Sequence, residues 1–197
     1  MWKRKVIRNR TFAVIGLYRG VGATLFAINF ACYLEKYHKA KVAVVELNDS
    51  GDFSKLAEDL QQYTYVKQSL TGFQVGNLDF YSSLLKVCKH NCLIEKYDFV
   101  IYDIGSKFVR HMEEIMDCNQ KVILGNSLEW RICEFDKFFS YARQIDSYRA
   151  WEYIDMAMSN KGIHFVDNGK IKLKSMELIR QTFEVSDNAA RIYQSLL

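Results

Sequence analysis

Thr11 to Thr24 reads TFAVIGLYRGVGAT, and the rest of the chain is organised around it. Its first six residues, Thr11 to Gly16, are an apolar, β-rich run. Arg19-Gly20-Val21-Gly22 is a glycine turn, and an amphipathic stretch begins at Thr24. The order predicted is strand, tight loop, helix. Such a loop aims several backbone N–H groups and the positive end of a helix at one spot, which suits a phosphate. Glycine is needed there because a side chain would block close approach.

The phosphate-loop pattern is G-x-x-x-x-G-K-[ST]. With Thr24 as the hydroxyl residue, Gly22 is the second glycine. Ala23 stands where the lysine belongs, Leu17 where the first glycine belongs, and Gly16 comes one place early. The cradle is recognisable and its cation is gone. Taken alone, the match is also compatible with a plain strand-to-helix turn. Arg19, Gly20, Val21, Gly22, Ala23 and Thr24 are the candidate phosphate residues.

The composition suits one domain over 1–197. At 197 residues and 49% hydrophobic, the chain can bury a core without disulfides or metal. No apolar run reaches the roughly 18 residues of a membrane-spanning helix. The basic start lacks the apolar segment of a signal peptide. Five cysteines form no paired framework, so free thiols in a reducing cytoplasm are expected. The formal charge of +4 does not by itself imply nucleic acid. Lys3, Arg4, Lys5, Arg8 and Arg10 make a short basic lead-in at 1–10. It reads either as a solvated segment or as a contact for an acidic partner, anionic lipid or nucleic acid.

Further along, a helix is expected from about Thr24 to Lys36, and Val42 to Leu47 reads as a buried strand. Strand, helix and strand in about 37 residues make a βαβ unit, hence a parallel sheet. Glu46-Leu47-Asn48-Asp49-Ser50-Gly51-Asp52 puts acidic and amide groups at a strand's carboxyl end, where open α/β sheets bind ligands; the alternative is a polar turn. A helix is expected over Phe53 to Gln62, one strand over Phe73 to Tyr81, and a helix over Ser82 to Lys96. Within that last helix, Cys88, His90 and Cys92 have too few ligands and the wrong spacing for zinc.

Tyr97 to Gly105, YDFVIYDIG, is the second informative stretch. Asp103 ends a buried strand, which suits it to hold a Mg²⁺ water near a phosphate. Gly105 would let the following loop move with a γ-phosphate. Lys121 to Gly125 reads as a short buried strand, Leu128 to Tyr148 as a long helix, and Tyr153 to Met158 as a strand. Asn160 follows it and is a candidate for reading a nucleotide base. Asn168-Gly169 between short apolar runs predicts a hairpin. Ser186-Asp187 is suited to cap a last helix running through Leu197.

Together GLYRGVGAT, VAVVELNDSGDF and YDFVIYDIG resemble the MinD/ParA family of deviant-Walker P-loop ATPases over most of the chain. Spacings of about 30 and then about 55 residues fit as well. Its atypical TadZ- and CpaE-like members, which place pili and other envelope machines, are nearest in character. The resemblance implies a mostly parallel central sheet with helices on both faces. It also implies ATP or ADP with Mg²⁺ as cofactor and Thr24 and Asp103 as the metal residues. A homodimer is expected, with a protein partner in an envelope or positioning machine. The implied location is cytoplasmic, including the inner face of the membrane.

The family's loop is similar to G-K-G-G-V-G-K-T, and here Tyr18 and Ala23 replace its two lysines. Glu46 and Asn48 stand where the family has two acidic residues, and an amide cannot take a proton. Weak nucleotide binding with little or no hydrolysis is therefore expected. A slow ATPase using Arg19 or Lys107 as substitute cation remains open, and so does a nucleotide-independent interaction module.

Overall fold

The computed structural model describes residues 9–63, 66–69, 71–82, 90–157, 164–177 and 179–197. In chain order the elements are β1 (Arg10–Gly16), α1 (Ala23–His38), β2 (Val42–Glu46), α2 (Asp52–Leu60), β3 (Val66–Ser69), β4 (Gly72–Val75) and β5 (Leu78–Tyr81). Then follow α3 (His90–Lys96), β6 (Phe99–Gly105), α4 (Met112–Asp117), β7 (Gln120–Gly125), α5 (Cys133–Ala142) and β8 (Glu152–Asp155). The chain closes with β9 (Phe165–Val166), β10 (Ile171–Lys172), β11 (Lys174–Ser175) and α6 (Asp187–Gln194).

Among the described residues the main sheet runs β11-β8-β7-β1-β6-β2-β5-β4-β3. It is parallel except for the β3–β4–β5 meander. β1 lies between β6 and β7, which is why its run is apolar throughout: a strand covered on both faces has no polar side to show. Alternate residues feed two cores. Phe12, Val14, Val44 and Ile101 pack with α1, α2 and α6. Ala13, Ile15, Val45 and Tyr102 pack with α4 and α5. Helices therefore cover both faces, as expected. Phe12 meets Phe30 of α1 edge to face, with centroids 5.0 Å apart. Each buried ring of this kind contributes about 1.5–3 kcal/mol of transfer free energy.

Several expected boundaries change. Phe73 to Tyr81 is not one strand: Gly76 and Asn77 turn the chain, with Gly76 at φ 60, and β4 pairs back on β5 with Phe73 opposite Phe80. The helix expected over Leu128–Tyr148 shortens to α5. The backbone before it closes as turns, with Asn126 Oδ1 accepting from Leu128 N, and the backbone after it tightens into i+3 bonds. The strand expected over Tyr153–Met158 ends at Asp155, whose carboxyl accepts from Ala157 N and bends the chain away. Of the helix expected over Ser82–Lys96, His90–Lys96 is helical and Ser82 lies outside it. Cys88, and the side chains of His90 and Cys92, lie outside the described residues.

Arg10 is part of β1 rather than of a lead-in, and its guanidinium reaches the main-chain oxygen of Leu197. Lys3, Arg4, Lys5 and Arg8 lie outside the described residues. The hairpin forms as expected: β9 and β10 are antiparallel around a turn whose Asp167, Asn168 and Gly169 all have positive φ. Ser186 Oγ accepts from Ala189 N and caps α6, which ends at Gln194 rather than Leu197. Cys32, Cys118 and Cys133 are free thiols. Burial pushes the Cys32 and Cys118 thiols up to about 12. Among the described residues no helix is long and apolar enough to cross a membrane.

Candidate functional site

The parallel strands β1, β2, β6, β7 and β8 all end at one edge of the sheet. A cleft of about 590 Å³ opens there. Its walls are the loop and helix start Tyr18–Leu25, residues of the segment Asn48–Asp52 after β2, and Gly105–Lys107 after β6. The sequence separates these stretches widely. Parallel pairing brings them together because β6 lies between β1 and β2.

The loop forms the expected turn. Gly20 has φ 87 and Gly22 φ 101. Gly22 is the residue before α1, and its carbonyl accepts from Phe26 N at 2.8 Å, so α1 starts in a left-handed conformation that a side chain would strain. With no side chain capping this end, the first N–H groups of a sixteen-residue helix face the cleft region. Thr24 is the second helical residue and lines the cleft, as does Arg19, which is exposed. Ala23 and Val21 are buried. Tyr18 lines the cleft with its ring under the Arg131 guanidinium, 4.3 Å from centroid to Cζ.

At the floor, Glu46 at the end of β2 and Asp103 near the end of β6 are register partners, and both are fully buried. Glu46 Oε1 accepts from Ser50 Oγ at 2.9 Å, Asp52 N at 2.8 Å and Phe53 N at 3.4 Å. It thus caps α2, whose N-cap residue is a glycine, with Ser50 Oγ also accepting from Asp52 N at 3.3 Å. Glu46 stands at one of the family's two acidic positions, and here it serves the start of α2. One of its oxygens is committed to folding α2.

Asn48 is buried and lines the cleft. Its Oδ1 accepts from Ser50 N at 2.9 Å, and its Nδ2 donates to the Asp103 carbonyl at 3.3 Å. Gly105, at φ +63, is where Asn48 packs closest: a Cβ there would stand 2.8 Å from Asn48 Cβ. The glycine admits Asn48 as well as turning the loop.

Asp103 has one of its two carboxylate oxygens bonded. Oδ1 accepts from Gly105 N at 3.2 Å. Oδ2 has no hydrogen-bond partner among the described residues, and the same holds for Glu46 Oε2. Burial pushes the Asp103 carboxyl up to about 6, with Glu46 adding to the rise. The Thr24 hydroxyl and Asn48 amide oppose it while stopping short of a hydrogen bond to Oδ2.

At the mouth of the cleft, Lys107 Nζ and Asp49 Oδ2 form an ion pair at 2.5 Å between the β6 and β2 loops. Lys107 holds the Asp49 carboxyl below its ordinary range. The sequence places Asp49 in the polar stretch after β2, read as a ligand-binding strand end or a polar turn, without naming its partner.

Sequence reasoning also passed over Asp155. It is fully buried at the tip of β8, with Oδ1 accepting from Ser127 N and Ala157 N, both at 2.9 Å, and Oδ2 from Ser127 Oγ. Its signal was the one that marked Asp103: an apolar strand ending in aspartate. Asn160 lies outside the described residues.

The residues present fit a magnesium nucleotide on three counts. They offer a left-handed glycine loop at a helix start, a hydroxyl on that helix, and a buried carboxyl with an unsatisfied oxygen behind it. Among the described residues no group of three or more His, Cys, Asp or Glu could hold a metal without help from other ligands. A Mg²⁺ here would take most of its shell from water and phosphate, as that ion prefers.

No protein-family profile matches the chain, and no curated protein matches it. Solved structures do. A ParA family ATPase from Chlorobium tepidum aligns at TM-score 0.61 and 11% identity, over 94% of this chain and 97% of that one. A Borrelia burgdorferi plasmid partition protein bound to AMPPNP aligns at TM-score 0.60 and 14% identity, over 95% of both chains. A second structure of a plasmid partition protein from that organism gives 0.55 at 14% identity, again over 95% of both. The identities are low and the coverage nearly complete, so what is shared is the architecture: this chain has the P-loop fold of the ParA family ATPases.

Proposed function

We propose that the chain is a degenerate ParA/MinD-type nucleotide-binding protein that binds Mg-ATP or Mg-ADP weakly and hydrolyses little or none. It acts as a nucleotide-responsive positioning or scaffold protein. The observation that carries this reading is Asp103. A fully buried carboxyl with an unpartnered oxygen costs folding free energy, about 1–3 kcal/mol for the missing bond. A Mg²⁺ water reaching Oδ2 would repay it, with Thr24 supplying a hydroxyl from the loop side. Magnesium would shield the phosphate charge.

Two features explain weak binding. Ala23 contributes no cation, and a hydrogen bond to a charged group is worth about 1.5–3 kcal/mol, or roughly 10- to 150-fold in affinity. Tyr18 is stacked on Arg131 and offers no second lysine. Phosphoryl transfer depends on positioning and charge stabilisation, so the rate falls further than the affinity. With Asn48 an amide and one Glu46 oxygen tied to α2, neither of these side chains is well set to orient a water. The protein works as a homodimer on the cytoplasmic side, including the inner face of the membrane, with a protein partner in a positioning or envelope machine.

Calorimetric titration with Mg-ATP and Mg-ADP, repeated on Asp103→Ala, is the test. Millimolar or tighter binding that weakens at least tenfold in the variant supports the reading. No heat and no rise in melting temperature at millimolar nucleotide would sink it.

A further inference from the structure

The cleft has lost its loop lysine but holds two cations of its own, Arg19 and Lys107. Lys107 is the one with a built position. It follows Gly105 on the β6 loop, and its ammonium is held by Asp49 on the neighbouring β2 loop at 2.5 Å. Both residues line the cleft, and both side chains are more than half exposed, at 53% and 67%. Exposed ion pairs contribute little, so exchanging one anion for another is cheap. Lysine suits the exchange, because its charge is compact and its stem flexible. The other acid at this wall, Asp52, is matched by Lys55 at 3.0 Å and does not compete for Lys107.

We propose that Lys107 is the phosphate-binding cation of this site, parked on Asp49 in the ligand-free protein and transferred to the nucleotide's phosphates when they enter. Asp49 is then a displaceable counter-ion: a phosphate must take Lys107 from it, which lowers affinity and keeps weaker anions out. This rests on the nucleotide-binding reading above and adds the residue that replaces the missing lysine. Releasing Lys107 also unlinks the β2 and β6 loops, so phosphate entry is read by both.

The experiment is titration of wild type, D49N, K107A and the double variant with Mg-ATP and with magnesium tripolyphosphate, at low and high salt. All substitutions are on exposed side chains. D49N is expected to bind about 3- to 10-fold tighter, and K107A about tenfold weaker. In the K107A background the gain from D49N shrinks below twofold, because Asp49 acts through Lys107. Tripolyphosphate shows the same ratios, because the contact is to phosphate. Wild-type binding that K107A leaves unchanged overturns the exchange alone. So does weaker binding by D49N, which would make the pair a structural clasp. If neither wild type nor D49N binds at millimolar ligand, both the exchange and the nucleotide reading fall.

Discussion

Asp103 and Asp155 are two fully buried aspartates, each near the carboxyl end of a parallel strand of one sheet. Asp155 has both oxygens bonded, to Ser127 and Ala157, and holds the β7 and β8 loops together. Asp103 has one oxygen bonded to Gly105 and the other to nothing among the described residues. Position in the fold does not separate them; hydrogen-bond satisfaction does. A satisfied buried carboxyl is part of the scaffold. An unsatisfied one is a cost that a bound ligand can offset.

The largest effect expected from this contrast is at Asp155. Asp155→Ala strands two backbone N–H groups and a hydroxyl, and should cost about 4 kcal/mol. Thermal unfolding would show a fall of roughly 8–16 °C for a chain of this size. A fall of only a degree or two would break the comparison.

Asp103→Asn goes the other way. The Asp103 pKa is raised from 3.8 to about 6. Below about pH 4 the carboxyl is protonated in both folded and unfolded chains. As pH climbs from about 4 to about 6 the unfolded chain ionises first, so this group makes the fold lose stability, and the loss levels off above about 6. Asp103→Asn should therefore gain up to about 3 kcal/mol at pH 7 without nucleotide, and nothing at pH 4. Denaturant titrations at the two pH values check this. A gain independent of pH would mean that burial of the charge is not the cause.

Gly105→Ala should destabilise by about 2 kcal/mol, through positive φ and the contact with Asn48. It should also weaken Mg-ATP binding, because Asn48 and the β6 loop shift together. Stability lost with binding intact would uncouple Gly105 from the cleft. The smallest effect is expected at Ser127→Ala, about 1–1.5 kcal/mol, because the Asp155 carboxyl keeps the Ser127 and Ala157 N–H groups. A cost equal to that of Asp155→Ala would place the whole role in the hydroxyl.

The strands and the glycine loop were legible because their causes are local. An apolar run such as Phe12 to Ile15 specifies burial, and Gly20-Val21-Gly22 specifies a turn that other residues would strain. Gly76-Asn77 was just as local, yet the apolar residues around it made Phe73 to Tyr81 read as one strand. The long helix expected after Leu128 failed for a different reason. Its aromatic pattern continues past α5, but the backbone there tightens into i+3 bonds, and Arg143 and Tyr148 both bond Asp167 of the hairpin, a partner distant in sequence.

The sequence by itself determined the α/β architecture, the strand–loop–helix at Thr11–Thr24, an alanine at position 23 of that loop, and the aspartate near the carboxyl end of β6. Those follow from periodicity and residue type, which act over a few neighbours. Only the tertiary structure decided that Glu46 caps α2, that Asp155 is satisfied while Asp103 is not, and that Lys107 rests on Asp49. Each of those depends on which strands lie side by side, and hydrogen bonds and ion pairs form between whatever groups that pairing brings within about 3 Å.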